Sequence, residues 1–299
     1  MYIRATLSFK QIFKKNALPI LLLFGYCFLI FRLYDYRGME KLDIPMSIST
    51  VLGFAVSLLL GFRTSEAYDR WWEARKIWGA IVNDSRTFAR QLIGYVHDSK
   101  KQPEVDELIN LNIAWCYALK NSLRKTENLE EVKPFVNSSD LEFISKHDNI
   151  PNALLLVMVK RLGQLKASNS ITNYEFVELD LTLKRHCDQM GMAERIKNTV
   201  FPAHYRFFTH LGILLFIMML PFGMLKSTGM FMILITILVY SFFTTLEHIA
   251  HTLQDPFSNR GSDTPMTSIC NTIEINLKQM MNNPQLPKKV EANDRGILM

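Results

Sequence analysis

The residues whose types could bind a metal ion are histidine and glutamate side chains near the ends of two apolar segments. Five of them flank or end these segments: His204, His210, Glu247, His248 and His251. His248 and His251 are three residues apart, which places them on one face of a helix. Because imidazole and carboxylate are common ligands of zinc and iron, the pattern is consistent with a membrane-embedded metalloenzyme.

The number of histidines argues against such an enzyme. The whole chain has seven histidines, whereas di-iron membrane oxidases need a larger set in repeated, tightly spaced motifs. We therefore interpret them as interfacial side chains that hydrogen-bond to carbonyl groups or to Glu247. The four cysteines lack metal-ligand or redox spacing, and we expect buried thiols in a reducing compartment: Cys27, Cys116, Cys187 and Cys270. We predict no catalytic residue, no metal site and no cofactor.

Two stripes of side chains run along residues 44–78, an apolar stretch that continues without interruption into a charged one. In each stripe the side chains recur every four residues, so they share a helix face. The bulky stripe is Phe54, Leu58 and Phe62, and the small stripe is Gly53, Ser57 and Gly61. Small residues at this spacing let helices approach closely inside a membrane. We predict close helix packing at the small stripe, and the bulky stripe must then face another surface.

Four apolar segments have the length and low charge of membrane-spanning helices. We assign TM1 to about 17–34, TM2 to about 45–96, and TM3 and TM4 to 206–249. At about 1.5 Å per residue, TM2 is about 75 Å long, and only about 30 Å of it fits the hydrocarbon. We expect the remainder of TM2 to reach into the cytoplasm.

Helical periodicity dominates the rest of the chain, and no stretch alternates at period two for long enough to indicate a sheet. The predicted fold is therefore all-α, a membrane protein with four transmembrane helices and a helical cytoplasmic region. The predicted division is 1–99 with TM1 and TM2, 100–205 as the helical cytoplasmic region, 206–249 with TM3 and TM4, and 250–299 as a cytoplasmic segment with a helix at about 267–281 and a partly disordered tail.

Positive charge predicts the orientation, because Lys and Arg accumulate on the cytoplasmic side of membrane helices. Most of the Lys and Arg residues that flank the apolar segments are on the flanks that would lie inside: Arg4, Lys10, Lys14, Lys15, Arg63, Arg70, Arg75, Lys76, Lys197 and Arg206. We therefore expect a multi-pass protein of the inner (plasma) membrane with both termini in the cytoplasm. The net charge of +6 then comes largely from these basic flanks, which we expect to lie near anionic lipid. Nucleic acid is not an expected partner.

The motifs of the chain resemble those of the bestrophin family, in its bacterial branch. A glycine-containing apolar segment that ends in LGFR is followed by RTSEAYDRWWEARKIWGAIVNDSRTFARQL. ERIKNTVFPAHY then precedes the third apolar segment, which contains LPFG, and LEHIAHTLQDPF ends the fourth, before DTPM and NTIEINL. Several separated motifs in the same order cover nearly the whole chain, so the resemblance is specific.

The resemblance implies a homopentamer with one ion path on its fivefold axis. Bestrophins line a narrow neck with three apolar residues of the second helix, which correspond to Phe54, Leu58 and Phe62 of the bulky stripe. It also implies a second constriction in the soluble helices, near residues 171–176, which we assign to Ile171. Animal members bind calcium with an acidic run after the fourth helix. The corresponding residues 258–263 hold one carboxylate, so we predict no calcium activation there.

The predicted function is a passive channel for monovalent ions, gated by the apolar neck, with chloride preferred. Phenylalanine ring edges are electropositive, which favours anions modestly, whereas some bacterial bestrophins conduct cations. A sodium- or potassium-conducting channel of the same architecture is therefore the first alternative. The metalloenzyme that uses His204, His210, His248 and His251 is an alternative of another class, and a structural or regulatory subunit without conductance is a third.

Overall fold

The computed structural model describes residues 9–37, 44–96, 98–126, 128–199 and 203–293, with Gly296 and Leu298. That part of the chain forms nine α-helices: α1 (Phe9–Arg37), α2 (Met46–Tyr95), α3 (Gln102–Arg124), α4 (Ser138–Ser145), α5 (Ile150–Ala167), α6 (Asn173–Asn198), α7 (Ala203–Thr228), α8 (Phe231–Leu253) and α9 (Met266–Met280). Two 3₁₀ turns occur at Ser99–Lys101 and Lys133–Phe135. No strand occurs among the described residues, so the prediction of an all-α fold is confirmed.

Four helices are long and apolar enough to cross a membrane, as predicted. Their apolar windows are Ala17–Tyr34 in α1, α2 itself, His204–Thr228 in α7 and all of α8. The only proline inside α2, α7 and α8 is Pro221 of α7. Residues 1–8 and 38–43, which include Arg4 of the predicted charge pattern, lie outside the described residues.

The chain groups into two compact units. The apolar-helix unit covers Ala5–Asp69 and Val200–Gln254, and the helical unit covers Arg70–Thr199 and the segment from Asp255 onward. The division falls inside α2, whereas the sequence placed all of TM2 in one segment. The cause lies in the burial pattern, because Trp78, Ile81, Phe88 and Leu92 of α2 are buried in the core of the helical unit.

The core of the helical unit surrounds α3. Apolar residues occur on every face of this helix from Leu108 to Leu119, and nearly all are buried, which is typical of a helix enclosed by protein. Helices α5, α6 and α9 pack around it. The buried cation of α3 has a partner, since Lys120 Nζ lies 2.7 Å from each carboxylate oxygen of Glu131. A buried charge without such a partner would be costly.

Helices α7 and α8 form a hairpin in the apolar-helix unit. Their connection contains Gly229, whose φ of 54° lies in the left-handed region that glycine adopts without strain. Two apolar clusters hold this unit together. One joins α2 to α7 and α8 through Leu60, Phe216 and Phe243, and the other joins α1 to α7 and α8 through Cys27.

The prediction of buried cysteines is correct for three residues and wrong for one. Cys27, Cys116 and Cys270 are buried, but Cys187 is exposed. Cys187 follows His186 on α6, and it is His186 that is fully buried. Consecutive residues on a helix point in different directions, so the cysteine faces outward.

Candidate functional site

The bulky stripe lies on an exposed face of α2. The exposed fractions of Phe54, Leu58 and Phe62 are 72%, 50% and 59%. On the opposite side of the same helix, Val56 and Leu60 are buried against α7 and α8. Three bulky apolar side chains are therefore exposed along one face of α2, and the opposite face of α2 packs against α7 and α8.

The small stripe has two different environments within the chain. A Cβ atom on Gly53 would lie 2.7 Å from Cε2 of Phe216, so the glycine allows α7 to pack directly on the α2 backbone. Ser57 Oγ donates a hydrogen bond to the Gly53 carbonyl at 2.7 Å, which satisfies the hydroxyl within the helix. A Cβ on Gly61 would meet no atom of the described part of the chain within 4 Å. Gly53 thus packs inside the chain, and the close packing predicted at Gly61 stays a prediction.

Gly61 borders an apolar groove between α2 and α8. This cavity of about 690 Å³ is lined by residues of both helices, among them Ser57, Gly61, Tyr68, Phe242 and Leu246. Ser57 and Gly61 of the small stripe therefore face a groove that the described residues leave open.

A charged cluster joins three apolar helices next to the bulky stripe. Nη1 of Arg63, the residue after Phe62, lies 3.4 Å from Oε1 of Glu247 on α8. Nδ1 of His210 on α7 lies 3.2 Å from the other carboxylate oxygen, Oε2. The exposed fractions of the Arg63 and Glu247 side chains are 1% and 17%. Ionisable residues inside membrane segments are costly unless they pair with one another, and these do.

The histidines are not assembled as metal ligands. Among the described residues, no group of three or more His, Cys, Asp or Glu side chains is arranged to hold a metal ion. His204, His248 and His251 are exposed, and His210 pairs with Glu247 as the interfacial interpretation predicted. The alternative of a membrane-embedded metalloenzyme is therefore unsupported.

Ile171, the residue assigned to the second constriction, is buried within the chain. This side chain is 4% exposed and belongs to the core of the helical unit. It precedes Thr172, whose side chain and Glu175 form a reciprocal capping box at the start of α6. Within one chain this side chain packs in the core, and the assignment of the constriction to Ile171 stays a prediction. Tyr174 and Val177, a few residues further on, are exposed.

The single carboxylate of residues 258–263, the segment that would correspond to the animal calcium site, is engaged, and so is that of the preceding Asp255. Burial raises the pKa of Asp263, and one of its carboxylate oxygens accepts a hydrogen bond from the Arg260 backbone N–H at 2.9 Å. Burial also tends to raise the pKa of Asp255, but hydrogen bonds from Lys197 and Ser258 outweigh it and lower that pKa. The absence of calcium activation through this segment stays a prediction.

Sequence patterns did not reveal the partners of the polar groups in the apolar-helix unit. Glu247 was singled out as a possible ligand, but its ion pair with Arg63 was not foreseen. Tyr205 Oη of α7 donates a hydrogen bond at 3.0 Å to the Leu59 carbonyl of α2, which was likewise missed. The only signal was the presence of polar residues within or beside apolar segments, and such residues usually have partners.

Four long apolar helices, an all-α fold and a charged cluster among the apolar helices define an α-helical membrane protein. Residues 4–279 match the family described as Bacterial/Fungal Bestrophin protein. The chain belongs to this family, and the resemblance seen in its motifs is confirmed.

Its relatives include proteins named for anion channels. The chain is 32% identical over 257 residues to the voltage-dependent anion channel-forming protein YneE of Escherichia coli O157:H7, with 86% of this chain and 83% of the relative covered. It is 31% identical to voltage-dependent anion channel-forming protein alr2987 of Nostoc sp., with 86% and 84% covered. The crystal structure of a bacterial bestrophin homologue from Klebsiella pneumoniae is similar, with a TM-score of 0.84, 25% identity, and 89% of this chain and 98% of that chain covered.

Proposed function

We propose that this protein is a passive anion channel in which several copies line one path with the bulky stripe of α2. The observation that carries the proposal is the exposure of Phe54, Leu58 and Phe62 on a helix whose opposite face is buried. A helix with a bulky exposed face and a packed opposite face suits a wall shared by several subunits. The names of the relatives support both ion conduction and the anionic sign.

The path opens and closes by wetting of its apolar neck. A ring of Phe54, Leu58 and Phe62 side chains offers an ion no replacement for its hydration shell, so a narrow ring excludes water and ions. A small widening lets water fill the neck, and ions follow. Five copies are expected from the bestrophin resemblance, with Ser57 and Gly61 of the small stripe packing between them.

Chloride is the proposed permeant ion, and the neck aromatics supply part of the preference. Ring edges of Phe54 and Phe62 that point to the axis present the positive end of the quadrupole. Arg63 adds no net charge to the path, because Glu247 neutralises it. The discrimination between anions and cations is therefore modest and shared among weak interactions. A monovalent ion suits a neck without fixed charge, since it loses less hydration energy there than a divalent ion.

The apolar helices place the protein in a membrane, and we propose the plasma membrane with both termini in the cytoplasm. The helical unit then lies in the cytoplasm, and the exposed apolar side chains of α1 and α7, such as Leu21 and Leu214, contact lipid. The function needs no cofactor and no catalytic residue.

A reversal potential in an asymmetric potassium chloride gradient tests the proposal directly. Purified full-length protein is reconstituted in a planar bilayer, and a bilayer without protein serves as the control. We expect the reversal potential to have the sign of the chloride equilibrium potential. The opposite sign would make the protein the potassium- or sodium-conducting channel of the same architecture, and absence of current at every voltage would contradict both.

A further inference from the structure

The helical unit contains a basic cavity that the channel function does not use. This cavity of about 460 Å³ lies between α2 and α9 and is lined by Arg86, Thr87, Arg90, Asn276, Gln279 and Met280. We propose that it is a binding site for a phosphate group, carried by a soluble metabolite or by a lipid headgroup. The proposal rests on side chains of the helical unit and does not depend on ion conduction.

Arg86 presents an organised guanidinium to this cavity. Its Nε and Nη2 both donate to the same acceptor, Oδ1 of Asn276, at 3.0 and 2.6 Å. This pair of bonds holds the guanidinium plane against α9, but the acceptor is a neutral amide. A guanidinium has five N–H donors, so Arg86 keeps three for a ligand. An arginine already held in place loses little conformational entropy when an anion binds.

Arg90 supplies the second cation, one helical turn further along α2. Its guanidinium makes no hydrogen bond or ion pair with any described residue. Because residues four apart on a helix are neighbours, both guanidinium groups border the same cavity. Because Arg90 has no partner among the described residues, all five N–H donors of its guanidinium are available to a ligand.

Among the described residues no carboxylate lines the cavity, and the nearest ones along the chain are paired elsewhere. Asp84 accepts a hydrogen bond from Arg185 at 2.9 Å, and Glu274 forms an ion pair with Lys278 at 2.7 Å. Two positive charges thus converge on one cavity without a protein anion to neutralise them. Charge of this kind attracts anions, and phosphate oxygens match the forked geometry of arginine.

The remaining lining residues define the ligand class. Thr87 and Gln279 can hydrogen-bond to phosphate oxygens or to an attached group, and Met280 forms an apolar wall. The volume lies within the range of about 300–1,000 Å³ that is usual for small-molecule sites, and exceeds what one inorganic anion fills. A phosphate ester with an organic part fits this combination better than a bare ion.

Inorganic phosphate is the probe that tests the site. Its binding to full-length protein in detergent is measured by isothermal titration calorimetry at constant ionic strength set with sodium chloride. We expect Arg90→Gln to raise the dissociation constant about tenfold, because a charge-assisted hydrogen bond becomes a neutral one. The matched control is Arg195→Gln, which removes one charge from an exposed arginine of α6 that does not line the cavity. It should change the constant by less than about twofold.

Two results overturn the proposal: no phosphate binding by the unaltered protein, or the same weakening in both variants. A second measurement, thermal unfolding with and without phosphate, shows whether each variant is folded. The source of the phosphate is resolved by repeating the titration in nanodiscs of phosphatidylcholine, with and without phosphatidylglycerol. Competition by phosphatidylglycerol assigns the site to a lipid headgroup, and lack of competition assigns it to a soluble ligand.

Discussion

Nη1 of Arg63 lies 3.4 Å from Oε1 of Glu247, and this ion pair joins α2 to α8 at the residue that follows the bulky stripe. Arg63 is almost completely buried, and its Nε atom has no hydrogen-bond partner among the described residues. The Glu247 carboxylate is therefore the group that offsets the cost of burying this cation. Arg63 directly follows Phe62, the last residue of the bulky stripe.

Glu247→Gln should destabilise the protein strongly. The change keeps the size of the side chain but leaves Arg63 buried beside a neutral amide, which costs about 3–5 kcal/mol when a buried pair is broken. Thermal unfolding of purified protein, followed by tryptophan fluorescence, measures the effect. The control is His210→Gln, which alters a partner that is 67% exposed and should cost less than about 1 kcal/mol. Equal melting temperatures of the Glu247 variant and the unaltered protein would contradict this interpretation of the pair.

The sequence predicted the helices well because their signals are local. Apolar runs and helical periodicity lie within each segment, and the structure has α1, α2, α7 and α8 as long apolar helices. Arg63 and Glu247, in contrast, are 184 residues apart. Helical periodicity does not indicate which residue of α8 faces a given residue of α2, because this depends on how the two helices pack. The same limit applies to the burial of Ile171, which is decided by the core around it and not by its neighbours in the chain.

Alanine at all three positions of the bulky stripe should raise the single-channel conductance. Replacing Phe54, Leu58 and Phe62 widens the apolar neck and lets water remain in it, so the barrier to ion entry falls. Recordings in planar bilayers with symmetric potassium chloride check this. The control is Phe207→Ala and Phe208→Ala together, which removes two exposed aromatic side chains of α7. Unchanged conductance in the triple variant would place the neck elsewhere.

Gly53→Ala and Gly61→Ala should have different effects, although both glycines belong to the small stripe. A methyl group at Gly53 would overlap with the Phe216 ring, and such overpacking costs about 1–3 kcal/mol. A methyl group at Gly61 meets no described residue within 4 Å, so it should not affect the fold of one subunit. Thermal unfolding in detergent measures the first effect, and size-exclusion chromatography with light scattering measures assembly.

The comparison of these two variants also tests packing between copies. Gly61→Ala should leave the helical content unchanged but weaken the oligomer, if Gly61 packs against a second subunit. A Gly61 variant with the same oligomeric state and stability as the unaltered protein would restrict the close packing to Gly53. Sequence spacing alone could not separate the two glycines, since it describes a face of one helix and not what the face contacts.

His186 is enclosed in the core of the helical unit as a neutral imidazole. Nδ1 lies 2.9 Å from the Thr182 carbonyl oxygen, which can only accept, so Nδ1 carries the proton. Nε2 lies 3.5 Å from Ser85 Oγ, and the Trp115 ring packs against the imidazole edge with a centroid distance of 4.6 Å. Burial lowers the pKa of His186 from its usual value of 6.5, and this outweighs the opposing effect of the Thr182 carbonyl and of Asp84.

Stability should therefore fall as the pH drops below the usual histidine pKa of 6.5. The unfolded chain binds a proton at His186 in that range while the folded chain does not, so protonation favours unfolding by up to about 1.4 kcal/mol per pH unit. Melting temperatures between about pH 7.5 and about pH 5.5 measure the dependence. His186→Gln should flatten it, whereas His147→Gln, at an exposed histidine, should leave it unchanged. The same pH dependence in both variants would mean that His186 is protonated in the folded protein, against its enclosure by Trp115 and Phe88.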